Sequence, residues 1–455
     1  MAALFGTGAL GVFARLAGSG LEADIDHNAS QWPGTQAEVS IAADPSDPAV
    51  VLAAAMSLSD GRILAMSSRD GGETWTRVPV PLGEGSSLDN DPMVAFDSRG
   101  AAYLARVPAG SGGTGIDVVR SPDGGRTWES AVRVAGLDRN DKVALAVDDE
   151  AASPYRDRVY VAWKWPRGGV FVSRSLDSGQ TFSQPQLVEQ AVVTGLDLAV
   201  GGDGTVYLAF HDNPRRSIRV MRSRDGGETF EPSVVAAAVH ASWDLVPPSH
   251  CIRPVIVHAS VSVDRSGGPR RGAVYAAWAD YPPGVGPEQC PSTCGAPAVC
   301  APDVYFSRSD DGGVSWSDPA PVDDERGSEV DRYHSWIRVD RSNGAVSVAY
   351  KDSRNDPTRA GADVYMRQSN DGGATWEPAL RLSSATSRTT SLIQCGDYQG
   401  VAAEGGYTYV AWADYRQNPT QGEIYVRRFV APFATFDRGE VNRVSRERPP
   451  PRIHR

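Results

Sequence analysis

The stretch Ser68-Arg69-Asp70-Gly71-Gly72-Glu73-Thr74-Trp75 points to the fold, because its pattern, Ser-x-Asp-x-Gly-x-Thr/Ser-aromatic, occurs six times in the chain. A short Asp side chain can accept hydrogen bonds from the backbone N–H groups of its own turn, and Gly readily adopts a positive φ. Thr and an aromatic ring suit the strand that follows. We interpret the six copies, called the Asp turns below, as structural and not catalytic. Their acidic residues are Asp70, Asp123, Asp177, Asp225, Asp311 and Asp371.

Alternating apolar runs surround these turns. Seven segments start with a polar residue and continue as two such runs, as in Glu38–Ala42 followed by Val50–Ala55. In the first six units a third run leads into the Asp turn and a fourth follows it. A period of two in β-branched and aromatic residues predicts paired strands. Repeats of about 40–50 residues with four strands each predict a β-propeller. We therefore expect one all-β propeller of seven blades; a six-bladed ring with an irregular first or last unit is the alternative.

The repeats also divide the chain. The seventh unit lacks an Asp turn, and we assign its fourth strand to Glu440–Val444. Residues Met1–Gly20 are apolar and rich in small residues but have no basic start, so they are either the remnant of an export signal or a disordered or mis-started leader. The predicted divisions are an N-terminal segment 1–35, a propeller 36–445 with insertions at 236–254 and 282–302, and a disordered tail 446–455.

Composition narrows the classes of partner. The 455 residues carry a net charge of −11, which argues against a general binder of nucleic acid or anionic membranes. No apolar run approaches the roughly 20 residues of a membrane span. Five cysteines would fit two disulfides and one free thiol in an exported protein, so we expect a secreted or periplasmic location, with a cytoplasmic one left open. Their spacing is not that of a zinc ribbon, and we expect neither a metal nor a cofactor. The cysteines are Cys251, Cys290, Cys294, Cys300 and Cys395.

Topology predicts which face of the propeller carries a ligand. In a four-stranded antiparallel blade, the loops before the first strand and after the second lie at the end opposite the Asp turns. We call that end the ligand face, because its loops are rich in carboxylates, Tyr, His and Arg. The residues before first strands are Glu38, Asp91, Asp141, Arg253, His258, Arg332, Tyr333, His334, Asp397 and Tyr398.

The Asp turns resemble the Asp-box, or BNR repeat, of the sialidase-like β-propeller superfamily, over residues 36–429. The resemblance implies a glycoside hydrolase with an axial pocket on the ligand face and a carbohydrate substrate. It implies Tyr398 as nucleophile, Asp60 as acid/base and Glu329 as a candidate partner for the Tyr. Guanidinium groups hold a carboxylate bidentately, so Arg253 and Arg332 become anion holders. The remaining predicted substrate-binding residues are Tyr333, His258, His334, Asp397 and Arg416.

Two departures leave the substrate open. The early Arg-Ile-Pro segment of the family is absent, since its place reads Glu38-Val39-Ser40-Ile41, and the Arg expected after the second strand of the first blade is missing. A uronate-directed hydrolase or lyase using His258, His334 and Tyr333 is one variant. The alternative from another class is a non-catalytic propeller that binds a glycan or a protein through rim aromatics. Those aromatics would be Trp165, Tyr281, Tyr333 and Tyr415.

Overall fold

The computed structural model describes residues 25–241, 243–250, 254–290, 298–323, 329–389 and 396–430. Seven antiparallel sheets of four strands form the blades of a propeller. First strands of neighbouring blades contact one another in turn, and that of the seventh contacts that of the first, so the ring closes around an axis. The predicted all-β fold with seven blades is confirmed, and the six-bladed alternative is wrong.

The strands follow the alternating runs of the sequence. Each of the first six blades takes four consecutive strands, from the axis outward. In chain order the strands are β1 (His27–Asn28), β2 (Gln36–Asp44), β3 (Asp47–Ser57), β4 (Arg62–Ser68), β5 (Thr76–Pro79), β6 (Leu88–Phe96), β7 (Ala102–Gly110), β8 (Gly113–Ser121), β9 (Val132–Asp138), β10 (Asp141–Val147), β11 (Val159–Trp165), β12 (Gly169–Ser175), β13 (Gln186–Glu189), β14 (Val193–Val200), β15 (Val206–Asp212), β16 (Ser217–Ser223), β17 (Val234–Ala238), β18 (Asp244–Leu245), β19 (Val255–Ile256), β20 (Ser260–Val263), β21 (Val274–Asp280), β22 (Asp303–Ser309), β23 (Ala320–Pro321), β24 (Arg332–Val339), β25 (Val346–Asp352), β26 (Asp363–Ser369), β27 (Leu380–Arg381), β28 (Gly400–Glu404), β29 (Tyr407–Asp414) and β30 (Glu423–Val430).

The seventh blade is completed from the other end of the chain. Strand β1 pairs with β30, with His27 opposite Val426 and Asn28 opposite Tyr425. It therefore occupies the outer position of the blade that we assigned to Glu440–Val444, which lies outside the described residues. Asp26 anchors the strand, because its carboxylate lies 2.6 Å from the guanidinium of Arg416. Residues 25–35, predicted as part of a leader, thus belong in the structure to the closure of the ring.

The hydrophobic core lies between neighbouring sheets. Second strands are buried on both faces, as the almost continuous burial of β11, β15 and β21 shows. Burial on both faces explains why these strands read as unbroken apolar runs such as Val-Tyr-Val-Ala-Trp. The largest apolar residues buried there are Trp163, Trp278 and Trp412, which are each at most 1% exposed. Burial of such rings contributes strongly to the packing of each blade on the next.

The Asp turns have the hydrogen bonds that the sequence predicted. In the fourth copy, Asp225 accepts bonds from the backbone N–H of Thr229 at 2.9 Å and from its hydroxyl at 2.5 Å. Ser223 donates to the same carboxylate at 2.7 Å and accepts from the N–H of Gly227 at 2.8 Å. Burial acts to raise the pKa of Asp225, but these hydrogen bonds outweigh it and lower the pKa to about 2. The carboxylate is held as an acceptor, which agrees with a structural role.

Ser178 is the one residue of the Asp turns that holds a left-handed backbone without being glycine, with φ +58° where the other five copies have Gly. That conformation costs an L-residue about 1–2 kcal/mol. We expect Ser178→Gly to raise the free energy of unfolding by about 0.5–1 kcal/mol in chemical denaturation. The reverse change at the matched position, Gly312→Ser, should lower the free energy of unfolding by a similar amount. Its cost is the left-handed backbone alone, because the added Cβ would meet its nearest neighbour, the Tyr207 hydroxyl, at an ordinary contact distance of 3.5 Å. A stability loss in Ser178→Gly would contradict this account.

The two predicted insertions lie beside the fifth blade. The first contains β18 and the 3₁₀ helix Pro248–His250, and β18 pairs with β19 just beyond its end. The second contains the 3₁₀ helices Pro287–Gln289 and Ala298–Cys300, and a disulfide joins Cys290 to Cys300. The other three cysteines lie outside the described residues. Within the described parts of the chain, no helix is long and apolar enough to cross a membrane.

Candidate functional site

First strands begin irregularly at the ligand face. Register shifts mark the start of β2, β6, β10, β14 and β24, where one strand carries an extra residue. A bulge of this kind turns a side chain out of the regular alternation. The bulged residues have positive φ although four of the five are not glycine, and such strain is often retained at functional sites. They are Glu38 (+55°), Asp91 (+49°), Lys142 (+50°), Gly195 (+49°) and His334 (+52°).

The same position in successive blades builds a ring of polar side chains near the axis. We call Glu38, Asp91, Lys142, His258, His334 and Tyr398 the axial ring; all six are at least nine-tenths buried. The fourth blade contributes only Gly195, and the reason is steric. A Cβ at Gly195 would lie 2.4 Å from the Cα of His258. The missing side chain leaves room for the histidine of the next blade.

Tyr398 is the centre of this arrangement. The Lys142 ammonium lies 3.5 Å from the centroid of its ring. The rings of His258 and Trp336 each lie 6.0 Å from it, centroid to centroid, and its hydroxyl donates to the Pro92 carbonyl at 3.3 Å. Burial, followed by the charges of Glu38, Asp91, Asp397 and Asp141, raises the pKa of Tyr398 well above its usual range. The phenol therefore needs a nearby base in order to react.

A carboxyl pair supplies such a base. Glu38 is hydrogen bonded to Asp91, and burial, followed by the charges of Asp91 and Asp397, raises the pKa of Glu38 well above its usual range. Two adjacent carboxyl groups that cannot both ionise share one proton, as paired carboxylates do in acid/base enzymes. The pair thus offers both a proton donor and a proton acceptor. Burial and then the Lys142 charge lower the pKa of His258, so that imidazole is neutral.

An axial cavity of about 180 Å³ lies inside the first strands, with Tyr398, Gln399 and Trp336 in its wall. Arg338 also faces it and is bound to Asp197, with Nη1 at 2.9 Å from the carboxylate. The amide nitrogen and oxygen of Gln399 have no hydrogen-bond partner among the described residues, although the side chain is 1% exposed. Buried polar atoms without partners cost about 1–3 kcal/mol. The cavity wall is therefore prepared for a polar occupant.

At the end nearer the Asp turns, ion pairs from four blades converge on the cavity. Arg341 Nη1 lies 3.1 Å from Asp149, and its Nε lies 2.7 Å from Glu404. Arg265 binds Asp149 as well. We call these four residues the basal clasp. Burial raises the pKa of Glu404 to about 7, with Asp149 adding to the shift and Arg341 and Arg265 opposing it.

The raised pKa of Glu404 has a consequence for stability. The folded state holds the proton that the unfolded chain releases near pH 4.5, so stability should fall as pH rises from about 4.5 to 7 and then level off. The shift corresponds to about 3 kcal/mol. We expect the stability of Glu404→Gln relative to wild type to rise by about that amount between pH 4.5 and pH 8, measured by urea denaturation. The exposed partner of Arg428 provides a control, Glu73→Gln, whose pH dependence should match wild type. Parallel curves for wild type and Glu404→Gln would contradict the shift.

The structure brings together only part of the predicted site. Tyr398, His258 and His334 lie in the axial ring. Asp397 lies close enough for its charge to raise the pKa of Tyr398 and that of Glu38. Asp60 is exposed in the turn between β3 and β4, and Glu329 is exposed before β24. The carboxylates that act on Tyr398 are others, with Glu38 first. Arg253 lies outside the described residues.

The two predicted substrate-binding arginines that the structure describes, Arg332 and Arg416, both lie in ion pairs. Arg332 is 2% exposed, with Nε 3.0 Å from Asp352 and Nη1 3.4 Å from Asp303. Arg416 lies 2.6 Å from both Asp26 and Asp414. These guanidinium groups are neutralised by the protein's own carboxylates. Their positions indicate a structural role in place of the predicted hold on a substrate carboxylate.

The aromatics predicted for a binding rim are mostly inside the protein. Tyr281, Tyr333 and Tyr415 are each about 1% exposed. Tyr333 accepts a hydrogen bond from Ser249 at 3.0 Å and so fastens the first insertion to the sixth blade. Only Trp165 is partly accessible, with its indole N–H bonded to Asp138 at 3.1 Å. Of the four aromatics predicted for the rim, only Trp165 is therefore placed to contact a ligand as the non-catalytic alternative requires.

Sequence reasoning missed Glu38, Asp91 and Lys142 as members of the site. The signal was present in part, because both carboxylates stand before first strands on the ligand face. The residue types do not show that the backbone at these positions is left-handed. It is this left-handed bulge that directs the three side chains toward one another. Among the described residues, no three His, Cys, Asp or Glu side chains converge as metal ligands would.

No protein-family profile matches the sequence, and no curated protein matches it. Solved structures to which it is similar include a protein of unknown function from Dyadobacter fermentans, at 14% identity and a TM-score of 0.49, covering 89% of this chain and 96% of that one. A point mutant of NanB sialidase from Streptococcus pneumoniae shows 8% identity, a TM-score of 0.47 and coverages of 84% and 83%. A point mutant of the α-L-arabinofuranosidase arb93a from Fusarium graminearum shows 12%, 0.45, 90% and 96%. At these values the likenesses identify neither a substrate nor catalytic residues.

Proposed function

We propose that this chain is a sialidase-like glycoside hydrolase whose reaction centre is the axial ring. One observation carries the proposal: a buried phenol, a proton-sharing carboxyl pair and an ammonium group, drawn from four different blades, meet beside the axial cavity. Burying so many ionisable groups together, three of them on strained backbone, costs stability and is typical of catalytic sites. The likeness of the Asp turns to Asp-boxes agrees with it.

The proposed reaction has two steps. The Tyr398 oxygen attacks the anomeric carbon while the phenolic proton passes to the carboxylate of the Glu38–Asp91 pair. The glycosidic C–O bond breaks, and its oxygen takes the proton that the pair held, so the charge of the pair does not change. Water then cleaves the Tyr398–sugar bond by the reverse proton transfers. This reaction does not use Asp60, whose assignment as acid/base stays a prediction from the sequence. Two displacements at one carbon give net retention of configuration.

The test is a panel of fluorogenic glycosides incubated with the full chain. We expect hydrolysis of at least one of them, with the anomeric configuration of the first product retained in proton NMR. A slow 2-fluoro glycoside of the same sugar should leave a glycosyl group on the peptide that contains Tyr398, detected by mass spectrometry. Inversion, or a label on another residue, would contradict the mechanism. Binding of glycans without turnover of any of them would favour the non-catalytic alternative.

A further inference from the structure

The charges around Tyr398 are mainly negative. Four carboxylates act on the phenol, those of Glu38, Asp91, Asp397 and Asp141. Two ammonium groups lie among them: that of Lys142 over the Tyr398 ring, and that of Lys164 at 3.0 Å from Asp141. These four carboxyl groups outnumber the two ammonium groups. A carboxylate brought into this field would be repelled, and like charges placed together at a binding surface cost several kcal/mol.

Among the described residues, the guanidinium groups nearby do not reverse this sign. Arg338 faces the axial cavity, but Asp197 neutralises it at 2.9 Å. Arg332 and Arg354 are bound to the carboxylate of Asp352 at 3.0 and 2.6 Å. Each cation would have to leave a buried partner before it could hold a substrate, and that partner would then be an unpaired charge. The net charge of −11 adds to the repulsion at long range.

The groups that are available suit hydroxyls. The Gln399 amide offers one acceptor and two donors in the cavity wall and has no partner in the described part of the chain. An amide of this kind can both donate to and accept from the hydroxyls of a sugar. Ser40 and Ser262 add short polar side chains to the same wall. This chemistry is independent of the carboxylates and points to the same kind of ligand.

We propose that the axial ring and the axial cavity together bind an uncharged glycan, with neutral or N-acetylated sugars, and exclude sugars that carry a carboxylate. The inference rests on the site of the proposed function but does not require turnover. It places sialic acids and uronic acids outside the substrate range, in contrast to the anion-holding role that the resemblance implied for Arg332. Selectivity here comes from repulsion of the wrong ligand as much as from attraction of the right one.

The experiment compares matched pairs of sugars by isothermal titration calorimetry. The probes are methyl glycosides of glucose, galactose and mannose, each beside the corresponding uronic acid glycoside, and a sialic acid glycoside beside its methyl amide. Tyr398→Phe is the protein used, so that hydrolysis does not obscure binding. In a pair that binds, the neutral member should bind at least about 10-fold more tightly, and the ratio should shrink as salt screens the charges.

Two variants make the test specific. Asp397→Asn, made in the Tyr398→Phe background, removes one negative charge beside the ring and should strengthen binding of the acidic member about 3–10-fold with little effect on the neutral one. Asp310→Asn removes an exposed charge beside an Asp turn on the opposite face and should change neither. Equal or tighter binding of the acidic members overturns the inference, as does binding of neither class. Selective binding of neutral glycans without turnover supports it while contradicting the hydrolase.

Discussion

Replacing Arg332 with methionine is expected to lower the free energy of unfolding by about 3–5 kcal/mol at pH 7, the range for breaking a buried ion pair from one side. The guanidinium is 2% exposed and lies 3.0 Å from Asp352, 3.4 Å from Asp303 and 3.6 Å from Asp323. Arg354 can still neutralise Asp352 and Asp323, at 2.6 and 2.5 Å. The main loss therefore falls on Asp303, whose side chain is 15% exposed and would be left without a cationic partner. Urea denaturation of wild type and variant measures the difference.

The pH dependence separates this cause from a simple loss of packing. Burial raises the pKa of Asp303, and the charge of Arg332 opposes that shift. Without Arg332 the carboxyl should take up a proton more readily, so the deficit of Arg332→Met should shrink toward pH 4. The control is Arg99→Met. The Arg99 side chain is 65% exposed and pairs with Asp157, so its loss should lower the free energy of unfolding by less than about 1 kcal/mol. If Arg332→Met kept full stability but lost glycan binding, Arg332 would hold the substrate after all.

The repeat was readable from the sequence because its determinants are local. An Asp that binds its own turn and a glycine at positive φ act within eight residues, and alternation within a strand needs no distant partner. The same locality explains the correct division of loops between two faces. The outer strand of the last blade was missed because β1 is two residues long and pairs with β30 almost 400 positions away. Two residues carry no periodicity from which a strand could be predicted.

The site was less predictable, since its members act through neighbours that are distant in sequence. Arg332 and Arg416 have the right residue type on the right face, yet whether a guanidinium is available depends on which carboxylates fold around it. Conversely, Glu38 and Lys142 gain their positions from bulges that no residue type announces. Gly195 could have signalled the ring, because a glycine at the start of an apolar run often marks a bulge or a close approach. The reason for glycine at this position, which is the space that His258 occupies, becomes visible only in three dimensions.

Tyr398→Phe is expected to lower glycoside hydrolysis by at least about 10³-fold, because the phenol oxygen is the proposed nucleophile and no other hydroxyl replaces it. Glu38→Gln should lose about 10²–10⁴-fold, the range for a general acid or base. Since burial and Asp91 raise the pKa of Glu38, the wild-type rate should persist at pH values where an ordinary carboxylic acid is fully ionised. The rate constant on the best fluorogenic substrate of the panel, measured from about pH 4 to 9, gives both results.

A matched tyrosine separates chemistry from folding. Tyr409 is equally buried and donates its hydroxyl to the Pro48 carbonyl at 2.8 Å, as Tyr398 does to the Pro92 carbonyl at 3.3 Å. Each Phe variant loses a bond to a backbone carbonyl, about 0.5–1.5 kcal/mol in stability, and Tyr409→Phe also loses the bond between its hydroxyl and Arg428. Tyr409→Phe should nevertheless keep wild-type activity, because it packs near the Asp turn of the first blade and away from the axial ring. If both variants lost activity equally, the effect of Tyr398→Phe would be structural, and the axial ring would lose its claim to be the reaction centre.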